Sequence, residues 1–383
     1  MKIKAPDGSQ VRLLGFDEYP AIASFIDRNW KKDHAYVRSK ALFDWTFHEN
    51  PSWHEEDFYS LAVAVDDASV VGMLGAIPFK LNVLGDTVEA CWLVNWIVMP
   101  HVKGGKGLAL LNFFSNEDNF NTISFGINDE VAPLYRALGW KEMSPIPRME
   151  WVNPSKKNYA EILLSRLNPD ATIEEVRRYI SKVSAVAFEI NTPESKKLNE
   201  IAASVWDRKG WSVWRKKSIG CARDYSYLKW RYLKHPIYEY KTSVIADEGE
   251  LGLIIWRIEI TRRMNANGTL EDYIPFARIA EFLPVSEANA RQLLSICLVD
   301  ASAAGVLAAD FYCYNSELTK MLKRIGFSVS KDASSVCLPN HTQPIARGSD
   351  IKSRIKSFSC DQITGEDYQW YWTRSDSDQD RPS

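Results

Sequence analysis

Large and small apolar residues alternate through Leu61-Ala62-Val63-Ala64-Val65 after the polar Ser60, and β-branched Val70 and Val71 follow Ser69. This period of two predicts strands over 59–66 and 69–84, turning at Asp66-Asp67, with a third over 87–99. Strand 11–16 and helices near 18–30 and 38–47 precede them. A helix over 105–117, a strand over 122–127, a helix near 129–138 ending at Gly139, and a strand over 141–152 follow. The order is a mixed α/β one: an antiparallel meander, then a strand–loop–helix–strand crossover.

The second half repeats this pattern. "RSKALFDWTFHENP" (38–51) aligns without a gap on "RDYSYLKWRYLKHP" (223–236), so that Arg38/Arg223, Trp45/Trp230 and Pro51/Pro236 each stand 185 apart. "WIVMP" (96–100) aligns on "AEFLP" (280–284) at an offset of 184, and "NDEVAPLYRALGW" (128–140) on "NSELTKMLKRIGF" (315–327) at 187. Three segments in one order at nearly constant offset indicate two copies of one domain. The expected organisation is a domain over 1–152, a helical connector over 153–182, a second domain over 183–340 and a polar tail over 341–383. That tail ends "DSDQDRPS" and is expected to be mobile, although the aromatic "YQWYW" (368–372) within it is expected to pack on the body. The Arg38-to-Trp45 motif recurs in both copies, so packing is its natural role.

Composition narrows the function classes. With 45% apolar and 25% charged residues the chain reads as a soluble globular protein. A net charge of −2 provides no general attraction for nucleic acid. No run approaches the length of a membrane span. The six cysteines and six histidines are scattered without Cys-x-x-Cys or His-x-x-x-His spacing, so no metal is expected and the thiols read as reduced. Together with an N-terminus that lacks a signal-like apolar core, this predicts a cytoplasmic protein.

Three of the 19 glycines fall within "KGGKG" (103–107), between the third long strand and a helix. Strand, glycine turn and helix aim backbone N–H groups and a helix dipole at an anion. The stretch is neither a P-loop nor a dinucleotide fingerprint. Val98, Pro100, Lys103, Gly104, Gly105, Lys106, Gly107 and Leu111 resemble the acyl-CoA loop of the GNAT superfamily of N-acyltransferases, with Val102 where that loop carries Arg or Gln. Asn128, Leu134, Tyr135, Gly139 and Trp140 are similar to the superfamily's second cofactor segment. In copy two the stretch after Pro284, "VSEANARQLLSICL", has no glycine and carries Glu287, and Leu322 stands at the position of Tyr135.

The resemblance implies two tandem GNAT-like domains, the second without the cofactor motifs. It implies acetyl-CoA or another acyl-CoA as co-substrate, bound by Ile97, Val98, Lys103, Gly104, Gly105, Lys106, Gly107, Leu108, Asn128 and Tyr135. It also implies transfer of the acyl group to a primary amine by direct attack, with Tyr135 as general acid. Asn95 and Glu89, on the incoming strand, are the candidates for handling the amine's proton. The ending "YWTRSDSDQDRPS" resembles tails of bacterial acyltransferases of surface-polysaccharide pathways, which points to an amino-sugar or sugar nucleotide as acceptor. Two other readings stay open: a non-catalytic tandem binding module, and a relative of the peptidyl transferases that use aminoacyl-tRNA.

Overall fold

Prolines and glycines punctuate this chain where several of its periodic segments stop, as at Gly15, Gly105, Gly126, Pro147 and Pro284. The computed structural model describes residues 11–67, 69–102, 105–115, 121–127, 129–184, 193–264, 270–329, 336, 338, 351–356, 365–378, 380 and 382, with the backbone alone at 261–264, 270–274 and 351–356. Copy one comprises β1 (Val11–Gly15), α1 (Tyr19–Asn29), α2 (Ala35–Arg38), α3 (Lys40–Phe47), β2 (Phe58–Asp66), β3 (Ser69–Val83), β4 (Asp86–Val98), α4 (Lys106–Ser115), β5 (Asn121–Phe125), α5 (Ala132–Ala137) and β6 (Lys141–Ile146). Then come β7 (Arg148–Val152), α6 (Lys157–Leu167) and α7 (Ile173–Val183).

Copy two opens with the short helices α8 (Ala203–Trp206) and α9 (Ser212–Arg215), strand β8 (Ile219–Cys221) and helix α10 (Tyr225–Leu228). It continues through β9 (Lys241–Asp247), β10 (Glu250–Met264), β11 (Leu270–Leu283), α11 (Glu287–Ala303), β12 (Ala308–Tyr314), α12 (Ser316–Ile325) and β13 (Ser328–Val329). The last strands are β14 (Ile351–Lys356) and β15 (Trp372–Thr373).

Two mixed sheets result, ordered β1-β2-β3-β4-β5-β14-β6 and β13-β7-β12-β11-β10-β9. Both faces of the first are covered. Leu61 and Val63 of β2 pack with α1–α3, while Ala62 and Ala64 face α4. That double burial explains why β2 is apolar at nearly every position.

The repeat is visible in local geometry. Ser39 and Asp224, 185 apart, both cap a helix, accepting from Leu42 N and Tyr227 N. Trp45 and Trp230 stack at 4.9 Å, and each indole N–H donates to the other's backbone carbonyl, at 3.0 and 3.1 Å. The motif packs, as expected, about a pseudo-twofold axis. Its arginines diverge: Arg38 is exposed and Arg223 fully buried.

Three expectations require correction. The strand expected over 141–152 is two strands in different sheets: β6 pairs with β14 in the first, and β7 with β12 and β13 in the second. Pro147, which has no N–H to give a ladder, stands where the chain crosses over. The exchange is reciprocal, since β14 lies between β5 and β6 as β7 lies between β12 and β13. The sheets therefore do not follow the limits 1–152 and 183–340. The connector is also more than a link, because α6 and α7 bury Leu163, Leu164, Val176 and Ile180 against the second sheet.

The tail expected to be mobile is buried from Trp370 through Asp378, and again at Asp380. Its charges have partners inside. Glu150, Asp310, Arg278 and Arg257 form one cross-strand row on the second sheet. Arg148, Glu259 and the tail's Arg374 and Asp380 complete four buried cations against four carboxylates, with Arg257–Asp380 at 2.7 Å and Arg148–Asp310 at 2.5 Å. Burial alone would raise the Asp380 carboxyl; Arg257 and Arg374 outweigh it and hold Asp380 well below the usual carboxylate range. "YQWYW" packs on the body as expected, with Trp370, Tyr371 and Trp372 buried.

Candidate functional site

Parallel pairing between β4 and β5 runs from Ala90↔Asn121 to Leu93↔Ser124 and stops, although β4 continues to Val98. The two strands part there. β5 ends at Phe125 and turns at Gly126, whose φ is +68°. β4 bends at a bulge: between Gly75↔Val94 and Met73↔Ile97 it carries one residue more than β3, and Asn95 takes a left-handed φ of +58°. Asparagine tolerates that conformation better than most side chains do. The result is a V whose β4 edge, Val94–Val98, is paired by no strand on its β5 side among the described residues.

The head of α4 closes against this edge. Gly105, at φ +73°, accepts from Ala109 N and starts the helix in a conformation that favours glycine. Gly107 lies against the strand. A Cβ there would sit 3.4 Å from Val98 Cγ2 and 3.6 Å from the Trp96 ring. Tyr135 is buried on α5, with its ring edge-on to Trp96 at 6.1 Å and to Trp140 at 4.7 Å. The structure thus gathers Gly105, Gly107, Asn95, Ile97, Val98 and Tyr135 about the open end of β4.

Other expected residues do not join them. Glu89 is exposed on the far side of the paired stretch. It lies six residues from Asn95, about 20 Å along a strand. Lys106 turns away, its ammonium 2.8 Å from Asp66 and donating to Val65 O at 3.2 Å. Leu108 points outward at 40% exposure. Lys103, Gly104 and Asn128 lie outside the described residues.

Trp140 closes the second cofactor-like segment of the sequence, whereas Trp96 is not singled out there. Trp96 Nε1, close to Gly107, is buried without a hydrogen-bond acceptor among the described residues. The only signal for it was its place in "WIVMP". Cys91, Cys221, Cys297 and Cys313 are buried, and burial pushes each thiol up, which disfavours a thiolate nucleophile. Among the described residues no three His, Cys, Asp or Glu side chains cluster as metal ligands, and no helix is long and apolar enough to cross a membrane.

Copy two builds the same V and fills it. Parallel pairing of β11 with β12 stops at Ile279↔Phe311, and β11 bulges at Ala280. Into the gap comes the C-terminal segment. β15 pairs with β12 through Cys313↔Thr373 and Tyr314↔Trp372. On the other arm, Tyr371 Oη accepts from Phe282 N at 3.2 Å and lies 3.0 Å from Phe282 O, while Ser375 donates to Ala280 O. Ala280 and Phe282 are the repeat equivalents of Trp96 and Val98. Beneath, the buried Arg223 pairs with Glu281 at 2.6 Å and Asp376 at 2.8 Å. At the head of α11, Glu287 pairs with Arg291 and Arg324 where copy one has its glycines.

No protein-family model matches the chain, and no curated protein sequence matches it. Solved structures do. Saccharomyces cerevisiae N-myristoyltransferase with bound myristoyl-CoA superposes at a TM-score of 0.52 with 12% identity, over 92% of this chain and 83% of that one. A GCN5-related N-acetyltransferase from Anabaena variabilis ATCC 29413 superposes at 0.50 with 13% identity, over 91% and 72%.

Proposed function

For a chain that carries the GNAT fold twice, with one V open and the other filled, we propose that copy one is an acyl-CoA-dependent N-acyltransferase. The observation that carries this reading is the unpaired β4 edge from Val94 to Val98, set beside the glycine head of α4 and Tyr135. We take 1–152 and 183–340 as the two ancestral copies and place the activity in the cytoplasm. A pantetheine arm is itself amide-bearing, so it pairs with an open strand edge as a strand would. The diphosphate meets the N–H groups at the head of α4, and the Trp96 indole N–H offers a further donor there.

The reaction is direct. A backbone N–H near the bulge polarises the thioester carbonyl, in the manner of an oxyanion hole. A neutral primary amine attacks, and Tyr135 supplies a proton to the leaving thiolate. Asn95 orients a water that takes the amine's proton. Acetyl-CoA is the simplest donor, and an amino-sugar of surface-polysaccharide synthesis is the acceptor we favour.

Tyr135→Phe tests the assignment. The substitution should lower kcat by about 10²–10⁴-fold, the usual worth of general acid catalysis, while leaving the Kd for acetyl-CoA unchanged. Thiol release measured against an amine panel gives the first quantity and calorimetry the second. A wild-type kcat would remove Tyr135 from the chemistry. Tight acyl-CoA binding without turnover of any amine would favour a binding module instead.

A further inference from the structure

The C-terminal segment fills the inner part of copy two's V but not its mouth. A cleft of about 350 Å³ remains between the end of β11 and the start of α12. It lies where copy one's glycine loop approaches α5, since Pro284 corresponds to Pro100 and Met321 to Leu134. Its walls are Trp214, Pro284, Leu318 and Met321, an apolar set. Lys216, Lys217 and Glu317 line it as well, leaving one positive charge in excess.

The lysines are uncommitted. Among the described residues neither Lys216 nor Lys217 has a carboxylate within ion-pair distance; the Lys217 ammonium lies 4.7 Å from the Trp214 ring centroid. Burial lowers the Lys217 pKa, and Glu250 and Glu317 act weakly against that. Lys216 and Lys217 are exposed at the rim of the cleft and form no direct ion pair, so an anion whose apolar part covers the wall gains both contacts. The inner V is taken by Tyr371 and Ser375, so it has no room for a pantetheine arm, and the single excess positive charge of the cleft suits a monoanion.

We propose that this cleft is a second ligand site, for a small amphipathic monoanion: a carboxylate on a short hydrocarbon chain. The carboxylate pairs with Lys217, and the chain lies against Trp214, Pro284 and Met321. Leu84, from the β3–β4 turn of copy one, and Tyr368, from the C-terminal segment, also line the cleft. A bound molecule therefore touches both copies and the segment that joins them.

Hexanoate is the probe, with hexanamide as its neutral isostere, both followed by ligand-observed NMR on the full chain. Hexanoate should bind saturably and at least tenfold more tightly than hexanamide. Lys217→Met, which keeps the stem and removes the charge, should abolish that tenfold preference. Met321→Glu, half-buried on the wall, should weaken hexanoate at least as much. Gly107→Glu, in the other copy, should leave hexanoate binding intact. Equal affinity for the two probes, an unchanged Lys217→Met, absence of saturable hexanoate binding, or loss of binding in Gly107→Glu would each overturn the proposal.

Discussion

His235 and Asn50 stand 185 apart and do the same work with different chemistry. Asn50 Oδ1 accepts from Ser52 N at 2.8 Å, and His235 Nδ1 accepts from Ile237 N at 3.1 Å and Tyr238 N at 2.9 Å. An accepting Nδ1 requires neutral imidazole. Burial, helped by the nearby Arg231, pushes the His235 pKa down from 6.5 to about 3. Between those values the unfolded chain binds a proton that the native chain refuses. The contribution is therefore complete above pH 6.5 and is lost as the pH falls towards 3, at up to about 1.4 kcal/mol per pH unit. Asparagine already makes this bond in copy one. His235→Asn should thus fold and lose the slope between pH 6.5 and 5, a range above most carboxylate titration. Urea unfolding at three pH values measures it; a slope equal to wild type would contradict the account.

At the scale of elements, one strand–turn–helix unit has two fates. In copy one Gly107 lets α4 approach β4, and in copy two Arg291 holds the corresponding place, exposed and paired with Glu287. Gly107→Glu adds bulk and negative charge beside Trp96 and Val98. Under the proposed function acyl-CoA affinity should fall at least tenfold, or about 1.4 kcal/mol. Arg291→Glu makes a charge change of the same sign and twice the size on copy two and should leave that affinity unaltered. Calorimetric titration of both variants separates the halves: the reverse pattern would move the cofactor to copy two, and no effect from either would reduce the glycines to turn formers.

The whole molecule is tied together by exchanged strands and by its own C-terminal segment. Ile219 N donates to Gln369 O at 2.7 Å and Tyr371 N to Ile219 O at 2.8 Å, while β8 pairs with β3, so the segment is hydrogen-bonded towards both sheets. Trp372, fully buried, packs on Trp92 at 4.9 Å and Phe125 at 6.0 Å at the vertex of copy one's V. Its neighbour Tyr371 fills copy two's. Trp372→Ala should therefore cost about 3–5 kcal/mol, as buried aromatic deletions do, and should destabilise both sheets together. Circular dichroism and tryptophan fluorescence should report one transition at a lower midpoint. Two separated transitions in the wild type would show that the segment does not couple the copies.

Periodicity, turn residues and the internal repeat were legible in the sequence because they are local or recur at constant offset. They located β2–β4, the helices of copy one, the glycine head of α4 and Tyr135 on its helix, and they marked copy two as altered at Glu287 and Leu322. Trp96 escaped notice because a tryptophan at a strand end looks like any other core aromatic. What only the tertiary structure decided is who pairs with whom. The exchange of β7 and β14 rests on backbone hydrogen bonds, which any strand can offer to any edge and which leave no residue signature. "TRSDSDQD" carries the composition of a solvated tail. Its charges become interior groups only because Arg223 and Arg257, more than a hundred residues away, supply the counter-charges that make their burial affordable.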